Sequence, residues 1–294
     1  KATNGAWCAI RAYGEFVSTN YGTVNVNVAK DSDGNVIGAG KNKTVVEGDL
    51  VTNGGMGTKG RISIGLSTAD SYWKGNYTDV TGYGVTQGQL GNVNIFMSNG
   101  ANWTGYTKGT MNVDMASGAT WNGYNTGDNF SLKLSDDAVW YNTNSTADAS
   151  KVKYFSGSNG NAKNGYIDMT AAGTGNLVID NYSGNATVLY SHDAVTPTKI
   201  NGGDTTINHA EAASAITLRT DSSGIDLQDD VEVGSVLDAL ANKLYYTNYT
   251  TDERNLNGYV QIAEGLTTSS ITKQTGSITF DGSTGKGALD KTTV

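Results

Sequence analysis

Three tryptophans, Trp103, Trp121 and Trp140, fall 18 and 19 residues apart, and each follows the last residue of an alternating apolar run (Met97, Met115, Leu134) by six positions. A related segment at 61–77, "RISIGLSTADSYWKGNY", leads into Trp73. A repeat this short cannot bury a core by itself, so it points to a solenoid in which neighbouring copies cover one another. The alternation Met111, Val113, Met115 and the pair Leu132, Leu134 read as strands with one buried face. Eighteen residues hold two or three short strands with tight corners, but not a strand plus a crossover helix. The expected unit is one coil of an all-β, parallel β-helix, paired through its backbone to the coils above and below.

Other features of the chain agree with that unit. Among 294 residues there are 39 Gly and one Pro, as corners demanding positive φ would require, with Asn tolerating the same region. Charged residues make up 16%, against about 25% in ordinary domains; stacked like charges repel, whereas stacked Asn, Ser and Thr can hydrogen-bond. Asp136-Asp137 falls at the corner held in sister coils by Asn99-Gly100 and Ser117-Gly118, so solvation at a corner accounts for that acidic pair. At about 4.8 Å per coil the chain would wind about fifteen times into a rod of about 70 Å.

Residues 1–60 read as irregular N-terminal coils with a hairpin at 23–38 turning at Asp33-Gly34-Asn35. Residues 61–232 read as the regular β-helix, and 233–294 as a short helix plus C-terminal coils, all in one continuous rod. The helix is expected near 235–246, where Val236, Leu237, Leu240 and Leu244 share a face and Ser235 with Asp238 makes a capping pattern. Strands are expected to resume at 257–266, 270–276 and 277–282.

The net charge of −8, with only four Arg, argues against a nucleic-acid partner, which needs clustered positive charge. Cys8 is the single cysteine and cannot form an intrachain disulfide. No run approaches the length of an apolar membrane span, so this segment is not expected to insert in a membrane, and the first residues lack a signal-peptide pattern. Catalysis has little to build on. His192 and His209 are the two histidines, no Ser sits in a nucleophile elbow, and the adjacent acids Asp136-Asp137 and Asp229-Asp230 would point to opposite faces of a strand. "DSDGN" at 31–35 alternates oxygen ligands but lacks the sixth-place Gly and distal Glu of a calcium hand; a tight turn explains it directly. "NGGMGT" at 53–58 matches only the start of a calcium repeat. No metal site and no cofactor are expected.

The Trp-ending coils, "NLVIDNYSGNATVLYSHD" at 176–193, "NGGDTTI" at 201–207 and "ITLRTDSSG" at 216–224 resemble the passenger region of Gram-negative autotransporters. The resemblance is one of repeat style over nearly the whole chain, and it lacks a secretory signal and a C-terminal translocator barrel. It implies a right-handed parallel β-helix, an excised surface-exposed fragment, and adhesion or aggregation rather than catalysis. Partners would be a glycan or protein on a host or neighbouring bacterial cell. Alternatives are a self-assembling extracellular filament subunit and a polysaccharide-degrading β-helix enzyme. The recurring aromatics Trp103, Tyr106, Trp121, Tyr124, Trp140 and Tyr141 should stack as a ladder: turned inward they are core, and turned outward they are a binding face for sugar rings or a second rod.

Overall fold

The computed structural model describes residues 8–13, 22–55, 58–80, 92–145, 147–160, 162–251 and 255–290, in two compact units, 1–133 and 134–294. Its strands lie in long, mainly parallel sheets with one helix among the described residues, an arrangement consistent with a β-solenoid.

In the first unit one sheet stacks Thr23–Val26, Arg61–Leu66, Asn92–Met97 and Met111–Met115 in parallel. A second stacks Val45–Glu47, Tyr72–Lys74, Asn102–Thr104 and Thr120–Gly123. A third side stacks Ile10–Tyr13, Leu50–Gly55 and Tyr77–Val80 in parallel and continues by single bridges, Thr107 pairing in parallel with Tyr77 and with Asn125. Register keeps like over like. Ile62, Val93 and Met111 form one column, Ile64, Ile95 and Val113 the next, and Leu66, Met97 and Met115 a third; all are buried. Between the first two sides the chain turns in four residues. Asn99-Gly100 and Ser117-Gly118 take φ of 53° and 74°, and of 50° and 70°, closed by Ala101 N–H to Ser98 O at 3.1 Å and Ala119 N–H to Ala116 O at 3.1 Å. Two successive positive φ values define the I′ turn, which is why Asn, Ser and Gly recur there.

The hairpin forms between Val28–Lys30 and Val36–Ala39, while Thr23–Val26 joins the parallel stack. Its turn runs from Asp31 to Gly34, slightly earlier than expected. The Asp31 carboxylate accepts the backbone N–H groups of Asp33 at 3.0 Å and Asn35 at 2.8 Å. Those bonds and the Asn35 side chain hold it below the usual carboxylate range. Most of residues 1–21, and residues 56–57 within "NGGMGT", lie outside the described residues; the flanks of that segment pair antiparallel, Gly54 with Lys59 and Gly55 with Thr58.

The second unit repeats the plan. Ser150–Ser156, Leu177–Ser183 and Thr205–Ala210 stack in parallel with Leu244–Tyr246; Val139–Asn142, Gly165–Asp168, Asn185–Leu189, Ser214–Asp221 and Leu256–Ala263 form the other sheet. Asp136 and Asp137 occupy the same turn, at φ 48° and 59°, with Ala138 N–H on Ser135 O at 3.0 Å.

Two C-terminal expectations are corrected. The helix spans Asp230–Ala241, because Asp229 rather than Ser235 caps it: the Asp229 carboxylate accepts from Val231 N at 2.9 Å and Glu232 N at 3.2 Å. Ser235 lies inside and bonds Val231 O at 2.7 Å, and Leu244 begins the next strand instead of ending the helix. The last strands are not further coils. Thr272–Phe280, one strand where two were expected, runs antiparallel to Leu256–Ala263, and Gly287–Leu289 runs antiparallel to it in turn. The helix packs against this hairpin, with Val236, Leu237 and Leu240 buried and Asp238 accepting from Leu289 N at 3.0 Å.

Candidate functional site

The tryptophans stack inward. Trp73, Trp103 and Trp121 are fully buried, with ring centroids 4.5 Å apart at each step and planes within 7° and 2°. Each indole N–H donates to a glycine carbonyl one rung back: Trp73 to Gly48 at 3.0 Å, Trp103 to Gly75 at 3.0 Å, Trp121 to Gly105 at 2.9 Å. The glycines two residues after each Trp allow this approach, since a Cβ at Gly105 would overlap the Gly75 carbonyl oxygen and one at Gly123 that of Gly105. Trp140, in the second unit, is also fully buried. It is followed by Asn142 in place of glycine, whose side chain accepts from Ser150 Oγ at 2.8 Å. A binding face made of indoles is therefore corrected to a core ladder. Tyr106 and Tyr124 are half-buried and stack at 5.5 Å, with Lys108 Nζ 5.7 Å from the Tyr106 ring centre. Tyr141 is 40% exposed.

The histidines and acidic pairs have local partners. His192 places Nδ1 2.9 Å from Thr220 Oγ1 and Nε2 2.8 Å from Ser223 O, and His209 Nε2 lies 3.3 Å from Asn248 Nδ2. Asp229 is the helix cap, and Asp137 pairs with Lys163 at 2.6 Å, a bond that raises the Lys163 pKa above its ordinary value.

A pocket of about 300 Å³ lies on the outer face of the second unit's larger sheet. In Ser214–Asp221, Ile216, Leu218 and Thr220 point to the core, so alternation turns Thr217 and Arg219 outward. Register places Thr187 beside Thr217 and Tyr166 beside Thr187, while Arg219 lies between Leu189 and Gln261. Outward Val139, Tyr166 and Leu189 form a small apolar cluster covered by Leu266, from the connection inside the antiparallel hairpin. The Tyr166 hydroxyl donates to Thr268 O of the same connection at 3.1 Å. The hairpin that ends the parallel stacking thus supplies one pocket wall.

Arg219 dominates the pocket. It is 9% exposed and its guanidinium carbon sits 5.9 Å from the Tyr166 ring centre. Nε and Nη2 both donate to Gln261 Oε1, at 3.1 and 2.9 Å. Nη1 is buried without a hydrogen-bond partner among the described residues. Thr187 Oγ1 accepts from Asn164 Nδ2 at 3.3 Å, and Asp137 and Lys163 line the rim. Exposed tyrosines flank the face, Tyr141 at 40% and Tyr259 at 42%.

Sequence reasoning singled out Tyr141, an exposed residue outside the pocket lining, but not Arg219, Gln261 or Tyr166. The available signal was an arginine on an outward position of a strand, in a chain with only four. Comparison with protein-family models, with curated proteins and with solved structures finds no match to this chain.

Proposed function

We propose that this chain is a surface-exposed adhesive passenger, a right-handed parallel β-helix displayed outside a Gram-negative cell, that binds glycan or protein on host or neighbouring cells through an outer sheet face. The observation that carries this reading is the outward face of the second unit, where exposed Tyr141 and Tyr259 accompany a pocket lined by hydrogen-bonding Asn, Thr, Gln and Tyr side chains, Arg219 and the Asp137–Lys163 ion pair. Rigid rungs hold such groups at about 4.8 Å intervals, a layout suited to an extended ligand gripped by several weak contacts.

Two features favour binding over glycoside hydrolysis and over filament assembly. Hydrolysis uses two carboxylates across the bond, whereas the carboxylate lining this pocket is Asp137, engaged by Lys163. End-to-end pairing needs an open strand edge, whereas the last described strand of this sheet, Gly287–Leu289, has three residues and its Leu289 N–H is taken by Asp238. The test is adherence of the purified chain to immobilised glycans and to host and bacterial cells, with Tyr141→Ala and Tyr259→Ala alongside. Retention reduced in both variants is expected; no retention by the parent chain above an albumin control overturns the reading.

A further inference from the structure

We propose that the Arg219 pocket takes the carboxylate of an acidic sugar, a uronic or sialic type of residue, with Arg219 Nη1 as its principal donor. This rests on the reading of the outer face as a binding face and names the ligand class. A guanidinium carries five N–H donors and stays charged at all relevant pH. Here two nitrogens converge on one neutral amide oxygen, which balances no charge, while Nη1 is buried without a partner among the described residues. A buried cation lacking a counter-charge is costly. An incoming planar carboxylate satisfies Nη1 and supplies the missing charge.

The rest of the lining selects the body of the ligand. The hydroxyls of Thr187 and Thr217 and the amide of Asn164 offer donors and acceptors suited to sugar hydroxyls, and the pocket's 300 Å³ suits one ring, at the small end of ligand sites. The Asp137 carboxylate at the rim disfavours a dianion such as phosphate more than a monoanion. An acidic peptide would bring the same carboxylate but would leave the hydroxyl-rich wall less well used.

The experiment titrates the intact chain with methyl glucuronide, its methyl ester, methyl glucoside, N-acetylaspartate amide and inorganic phosphate, by calorimetry or ligand-observed NMR. The glucuronide should bind at least about tenfold more tightly than the ester or the glucoside, the scale of a charge-assisted contact, and more tightly than aspartate or phosphate. Arg219→Gln should lose about tenfold or more. Gln261→Glu should do the same while raising the melting temperature, because it gives Arg219 an internal counter-charge at the position already 2.9 Å from Nη2. Equal binding of acid and ester, or unchanged binding in Gln261→Glu, overturns the inference. Tighter binding of aspartate or phosphate overturns the sugar assignment. No binding of the glucuronide by a parent chain that still adheres to cells overturns this inference alone, whereas failure of both overturns the adhesive reading too.

Discussion

Replacing Trp103 by Ala removes the middle ring of the stack in the first unit. The indole is fully buried and touches Trp73 and Trp121 face to face at 4.5 Å on both sides, and its N–H satisfies the Gly75 carbonyl. Truncating a buried Trp costs about 3–5 kcal/mol. Two stacked neighbours, each worth about 0.5–1.5 kcal/mol beyond area, and an orphaned carbonyl put this site near the top of that range, about 5 kcal/mol. Trp103→Phe keeps a ring in the stack and should lose about 1–2 kcal/mol, chiefly the hydrogen bond and some area. Urea unfolding followed by circular dichroism measures both, with Tyr154→Ala, at a 54% exposed tyrosine, as the surface reference. A Trp103→Ala penalty under about 1 kcal/mol, no larger than that reference, would refute the ladder as a structural element.

Gly123→Ala should cost about 1–3 kcal/mol in the same assay, since its Cβ would overlap the carbonyl that receives the Trp121 N–H. Asp229→Ala should cost about 1 kcal/mol by loss of the helix cap, while Ser235→Ala should stay within about 0.5 kcal/mol; the reverse order would restore Ser235 as the helix start. Tyr182 and Tyr190 are fully buried, their hydroxyls bonded to Ala215 O and Thr205 Oγ1, both at 2.7 Å, and burial pushes both phenols far above 10.0. A folded-state pKa raised in this way leaves stability unaffected below the unfolded value. Stability then falls as pH rises past 10, by about 1.4 kcal/mol per pH unit for each phenol. Phenolate absorbance of these two should appear only with unfolding; early titration at the exposed-tyrosine pH would contradict their burial.

The 18- and 19-residue tryptophan spacing and the apolar alternation made the stacked rungs legible, because period and register express the same geometry. The I′ corners were legible too, at Asn99-Gly100, Ser117-Gly118 and Asp136-Asp137, where positive φ selects among few residue types. The direction in which the indoles point was not, since an aromatic ladder has the same period inside or outside. Strand direction at the C-terminus was equally hidden: "SITKQTGSITF" alternates identically in parallel and antiparallel partners. The helix start was hidden because Ser235 with Asp238 has the spacing of a cap, whereas Asp229-Asp230 reads in sequence as an acidic pair. Arg219 escaped because its isolation arises from Gln261, 42 residues away in sequence, and a connection that folds back over Tyr166.

The central claim is that successive coils lie in register one rung apart. With Cys8 replaced by Ser, Asn94→Cys paired with Asn112→Cys tests it, since these residues are register partners whose side chains already meet at 2.9 Å and whose Cα atoms, at about 4.8 Å, lie within disulfide range. Mild oxidation should link that pair within the chain and leave Ser63→Cys with Asn112→Cys, two rungs apart, unlinked. Ready linking of 63 to 112, or none of 94 to 112, would contradict the stacked coil.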